Sequence, residues 1–170
     1  ANIITSAILM ATSILPAVML GGSARAAQIT SRSIDMSKGA ASAASTTYTV
    51  SFANATAGTV QGIVVDFCTS ALIGTTCTAP TGLSLTAVTP QTIDTVSFTQ
   101  TISSNKLTMN NATGSSAAAA ETYSFTVTAT NPSTVGTFYA RILTYAVSAT
   151  ATAYTSTSPG AYIDYGSVAM

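Results

Sequence analysis

Thr47-Tyr48-Thr49-Val50-Ser51-Phe52 alternates small polar residues with large apolar ones, and a period of two reads as a half-buried β-strand. The pattern continues along the chain. Ile63, Val65 and Phe67 form one face of the next strand, with Val64 and Asp66 on the other. Val96, Phe98 and Ile102 follow, then Leu107 and Met109, then Tyr123, Phe125 and Val127. Phe138, Ala140 and Ile142 are backed by Tyr139, Arg141 and Leu143, so this strand is expected at the centre of a sheet, covered on both faces. Tyr162 to Val168 closes the series. Turn residues separate the runs at Asn54 to Gly58, Pro80 to Gly82, Asn110-Asn111, Asn131 to Ser133 and Ser158 to Gly160. Ala117 to Ala120 reads as loop. Many short strands with regular turns predict a mainly β chain, with an antiparallel Ig-like β-sandwich over residues 28–170.

The opening strand has an internal echo. Thr47 to Phe52 leads to Thr59-Val60-Gln61-Gly62-Ile63, and Thr122-Tyr123-Ser124-Phe125-Thr126-Val127 leads to Thr134-Val135-Gly136-Thr137-Phe138 at the same spacing. Two similar hairpins are expected, one in each half of the sandwich. Continuing the register sets Asp66 against Arg141 as a candidate salt bridge between central strands.

Upstream lies ANIITSAILMATSILPAVML, residues 1–20, with no charge at all. A helix of that length spans about 30 Å, enough to cross a bilayer. Water cannot solvate such a surface, so something buries it or a peptidase removes it. On the first reading residues 1–22 form an apolar helix, loosened at Pro16 and ended by Gly21-Gly22, with residues 23–27 as a neck. Small residues such as Ala7, Ala11 and Ala17 let copies approach closely. Ile3, Ile4, Ile8, Leu9, Ile14, Leu15, Val18 and Leu20 then form the core of a filament. The chain opens at Ala1 without Met or a basic segment, as a prepilin-type peptidase leaves it. On the second reading Ala24-Arg25-Ala26 is an A-x-A-like signal cleavage site, and the leader is removed near Ala26.

Charge narrows the function. Only 6% of residues are charged, five basic and five acidic, against about 25% in an ordinary globular protein. The basic stripe a nucleic-acid binder needs is missing. The sequence holds no His, which removes Ser-His-Asp and Cys-His catalysis and His-ligated metals together. Asp35, Asp66, Asp94, Glu121 and Asp164 show no metal-loop spacing, and no Gly-rich phosphate loop follows a strand. Neither an enzyme nor a cofactor is expected. Cys68 and Cys77 bracket a short turn-rich segment and are read as a disulfide. Asn54-Ala55-Thr56 and Asn111-Ala112-Thr113 are N-glycosylation sequons. Tyr139, Tyr145, Tyr154, Tyr162 and Tyr165 crowd the C-terminal third, either as strand packing or as a contact surface for a neighbouring subunit or a host glycan.

Two resemblances bear on this. Phe67-Cys68-Thr69-Ser70 and Thr75 to Leu83, with the Thr47 to Phe52 and Thr137 to Ile142 strands, resemble a β-sandwich module of exported surface proteins in ultrasmall, host-attached bacteria. That resemblance covers most of residues 27–170 and implies an ordinary secretory leader. An apolar helix ahead of a Thr-rich β domain is also similar to type IV pilins of the archaeal type. The glutamate that most bacterial members carry at the fifth mature position is Thr5 here. The expectation is an extracellular, cell-surface, pilus-like filament subunit: a helical homo-oligomer with transient membrane residence before assembly. The alternative is a secreted adhesive or binding domain with its leader cleaved. A third reading has Gln28 to Met36 completing a neighbour's sheet.

Overall fold

The computed structural model describes residues 26–170 except 90, 91, 94, 95 and 118. The expected N-terminal helix, its filament-core residues and Asp94 lie outside the described residues. Among the described residues, twelve strands and one short helix follow one another: β1 (Ala27–Gln28), β2 (Thr30–Met36), β3 (Thr46–Ala53), β4 (Gly58–Cys68), β5 (Ser84–Thr89), β6 (Thr92–Ile93), β7 (Val96–Ser97), β8 (Thr99–Ser103), β9 (Lys106–Ala117), β10 (Thr122–Thr130), β11 (Tyr139–Tyr145), α1 (Ser148–Thr152) and β12 (Asp164–Ala169). The chain is mainly β and forms a sandwich. One sheet has the order β1-β12-β11-β4-β9-β8, the other β2-β3-β10-β5, and β6 and β7 make a small separate ribbon. All pairings are antiparallel except β1 with β12.

The echo is real, but its geometry differs from the expected hairpins. β3 and β4 sit in different sheets, as do β10 and β11. Each repeat is therefore a strand, a crossover and a strand in the opposite sheet. The repeats pair with each other: Val50 lies opposite Phe125 in one sheet, and Asp66 opposite Arg141 in the other. Each pair is separated by 75 positions (125 − 50 and 141 − 66), so one pseudo-two-fold relates both sheets. The reason is energetic. A strand with one apolar face gains more by placing successive faces across a shared core than by pairing with its neighbour in a single sheet.

Tyr48, Val50, Phe52, Tyr123, Phe125 and Val127 face Ile63, Val65, Phe67, Leu107, Met109 and Ile142 in the main core. The Phe52 and Tyr123 rings stack at 5.3 Å. The Gln28 to Met36 segment completes this molecule's own sheets, β1 on β12 and β2 on β3, which corrects the donor-strand reading. The Asn110-Asn111 turn signal is a bulge inside β9. Val60 pairs with Ser115 and Gly62 with Asn110, so the longer side of the ladder loops out. Gly114 in that bulge has φ +75°, and a Cβ there would lie 2.8 Å from the Val60 carbonyl, so only glycine fits.

Candidate functional site

β11 is buried along nearly its whole length because the larger sheet is covered on both faces. The outer face carries a second small core of Val64, Leu143, Tyr145, Ala151 and Tyr154, with Ile73, Tyr162 and Tyr165 packed against it. Alternation along β4 and β11 dictates this, since Val64 and Leu143 must point away from the main core. The lid over this face comes from the Cys68–Cys77 loop, α1 and the segment leading into β12.

A row of polar side chains crosses the same face. Ser167, Arg141, Asp66 and Lys106 occupy one register line through β12, β11, β4 and β9. Asp66 and Arg141 are opposite each other as expected, yet the pair makes no direct bond. Arg141 is fully buried and spends its guanidinium on the disulfide loop. Its Nε donates to the Ser70 carbonyl at 2.9 Å and its Nη1 to the Thr75 carbonyl at 2.8 Å. Its Nη2 donates to the Thr75 hydroxyl at 3.3 Å and the Thr76 carbonyl at 3.4 Å. The Cys68–Cys77 disulfide closes the base of that loop. Sequence reading identified the disulfide but missed the clamp, because the carbonyls that Arg141 binds carry no residue-type signature.

Asp66 takes its partners from the other side. Tyr154 Oη donates to one carboxylate oxygen at 2.9 Å, and Asn105 Nδ2 donates to the other at 2.9 Å. Lys106 Nζ donates to the Tyr154 carbonyl at 3.2 Å and lies 5.5 Å from the centre of its ring. Burial raises the Asp66 pKa above its ordinary 3.8, against the lowering effects of the Tyr154 hydrogen bond, Arg141 and Lys106. The Tyr154 hydroxyl is pushed far up, first by burial and then by the Asp66 charge. The sign of the pH effect follows. The folded state holds the Asp66 proton more tightly than the unfolded chain, so its contribution to stability is greatest below 3.8 and declines as pH rises through the raised folded value. Asp66→Asn should flatten this part of the stability–pH curve, read by urea denaturation at stepped pH from 3 to 7. An unchanged slope would place the titration elsewhere.

Asp66, Cys68 and Cys77 form the group among the described residues whose ligand atoms lie close enough for a metal. Both sulfurs are tied up in the disulfide, which leaves a single carboxylate, too few for a site. Asp164, another of the scattered acids, is a structural staple. Its carboxylate accepts from the Ala55 and Thr56 amides at 3.0 Å each and from the Thr56 hydroxyl at 2.7 Å, pinning the β3–β4 crossover to β12. The sequon residue Asn54 at that crossover is fully buried. Asn111 uses its amide on the Ser97 carbonyl at 2.6 Å and accepts from the Thr113 and Gly114 amides. The Asn54 amide is buried without a hydrogen-bond partner, whereas the Asn111 amide is engaged.

The tyrosines divide. Tyr145 and Tyr154 are interior, and the Tyr145 hydroxyl, raised by burial, donates to the Pro159 carbonyl at 2.7 Å. Tyr162 and Tyr165 are half-buried, with ring centres 5.5 Å apart and one edge toward the other's face. They line a surface hollow of about 420 Å³ with Gln28, Leu72, Ile73 and Ser167. Leu72 is 66% exposed, projecting from the disulfide loop that Arg141 holds. An apolar pair, Leu72-Ile73, inside a Thr/Ser-rich Cys loop was the available signal for this wall. The geometry offers an uncharged recess beside an aromatic pair.

No protein-family model matches the chain, and no curated protein matches it. The structure is similar to the crystal structure of ChBD2 from Thermococcus kodakarensis KOD1, with 15% sequence identity and a TM-score of 0.37, over 82% of this chain and 98% of that one.

Proposed function

We propose that this chain is an exported, non-catalytic β-sandwich that acts by binding at its surface, through the Tyr162–Tyr165 hollow. The observation that carries the reading is that hollow, an uncharged recess with a prominent apolar wall on a face stiffened by a disulfide and a buried arginine. A disulfide in so small a loop fits an oxidising, extracellular setting. The A-x-A-like motif ends at Ala26, and β1 begins at Ala27, so cleavage there removes the oily segment without taking a residue from the sheet. The filament reading rests on residues 1–22, which lie outside the described residues, whereas the hollow supports the surface-binding alternative.

N-terminal sequencing and electron microscopy of the mature protein from its native source decide between them. Sequencing is expected to begin at Ala27, from particles without filament order. A sequence beginning at Ala1, in filaments, would overturn the reading.

A further inference from the structure

We propose that the Tyr162–Tyr165 hollow takes a neutral pyranose ring of a surface glycan, which names a ligand class for the recognition site above and rests on that reading. The lining contains no charged side chain. Arg141, the cation nearest in register to Ser167, is fully buried with its donors committed to loop carbonyls, and Arg32, whose Nη1 approaches Gly166 from the Ile29 side of the sheet, donates to the Ile29 carbonyl. A sulfate, a phosphate or a sialic carboxylate in the hollow would be desolvated without a counter-charge, which is costly. An uncharged ring is not.

The walls are amphipathic in the way a sugar requires. The Tyr162 and Tyr165 rings pack edge to face on the outer core and are half-buried, so apolar ring surface and a polar tip border the hollow together. The Tyr48, Tyr145 and Tyr154 hydroxyls each bond within the fold. Those of Tyr162 and Tyr165 bond no other described residue, nor do the exposed Gln28 amide and the Ser167 hydroxyl. The Tyr165 and Ser167 hydroxyls and the Gln28 amide are thus available around two aromatic rings, the Tyr162 hydroxyl lying near that of the buried Tyr145. A recess of about 420 Å³ lies in the range of small-ligand sites. A protein partner needs roughly 800 Å² of contact on each side, far more than this recess offers by itself. The Leu72-Ile73 wall is fixed in advance by the disulfide and by Arg141, which lowers the ordering cost of binding.

The test uses the mature protein against neutral glucose-, mannose- and N-acetylglucosamine-based tetrasaccharides beside sialylated and sulfated ones. Binding is read by tyrosine fluorescence, since the chain has no Trp, and by NMR shifts. A neutral tetrasaccharide is expected to shift Gln28, Leu72, Tyr165 and Ser167. Tyr165→Ala should weaken it by about tenfold or more, Gln28→Ala by a few-fold, and Tyr139→Ala, outside the hollow, not at all. Gln28 is exposed, so its variant keeps the test valid should Tyr165→Ala unfold. Preference for the charged sugars, or neutral binding unaffected by both hollow variants, would overturn the assignment. If every sugar is silent but intact host cells still shift the hollow's resonances, the ligand class is wrong and the recognition reading stands. If nothing engages the hollow, both fall.

Discussion

Arg141→Met is expected to lower stability by about 3–5 kcal/mol, the scale seen when one member of a buried charged network is removed. For a domain of this size that corresponds to a fall of roughly 10 °C or more in the unfolding midpoint. Methionine fills much the same volume with a flexible apolar chain, so cavity formation contributes little. What is lost is the set of charge-assisted bonds to Ser70, Thr75 and Thr76, along with the positive charge that lowers the Asp66 pKa. The loop should then be held by its disulfide, by the Thr69–Thr78 and Cys77–Ser156 bonds at its base and by Ile73 on the outer core. Thermal denaturation gives the midpoint, and limited proteolysis should find new cleavage between Thr69 and Thr76. Removing the disulfide in the Arg141→Met background should cost less than the sum of the two separate losses, because both restrain one loop. A midpoint within about 2 °C of wild type would mean that the guanidinium merely fills space.

The contrast between what was legible and what was not follows the range of each interaction. Period-two alternation is local, so the strands around Val50, Val65, Phe125 and Ile142 could be read directly. The offset between the two repeats was enough to set Asp66 opposite Arg141, because pairing propagates register over many residues. Which strand pairs with which is not local. Thr47 to Ile63 suits a hairpin or a crossover equally until the partner repeat supplies the second face. β5 escaped notice because its burial alternation is broken, with only Leu85 and Val88 turned inward. The same limit governs the site. Cys68 and Cys77 announce themselves by type and spacing, whereas the hollow depends on Leu72, Tyr165 and Gln28 meeting from three distant segments. The five-tyrosine cluster includes the two tyrosines that line the hollow. Only burial separates the interior Tyr145 and Tyr154 from the pair at the surface.

Gly62→Ala is expected to cost about 2–3 kcal/mol, the upper end for an added methyl group in a close-packed interior. Gly62 lies in β4 on the outer face of the larger sheet, where α1 comes down on it. A Cβ at position 62 would stand 2.4 Å from the Ala151 Cβ, about an ångström inside normal contact. Ala151 is fully buried and its Cβ is fixed to the helix backbone, so no rotamer change relieves the overlap. α1 must lift, and it has only five residues and no side-chain N-cap with which to hold its shape. Lifting it would also loosen Tyr154, which anchors Asp66 just beyond its C-terminus. The reciprocal change supplies the control. Ala151→Gly alone should cost about 1 kcal/mol through helix propensity, and the Gly62→Ala/Ala151→Gly double variant should recover most of the loss, because the methyl group has only changed sides. Urea unfolding of the three variants measures this directly. Additive losses in the double variant would mean that α1 is not seated on Gly62 and that the disulfide loop and the segment leading into β12 close the outer face.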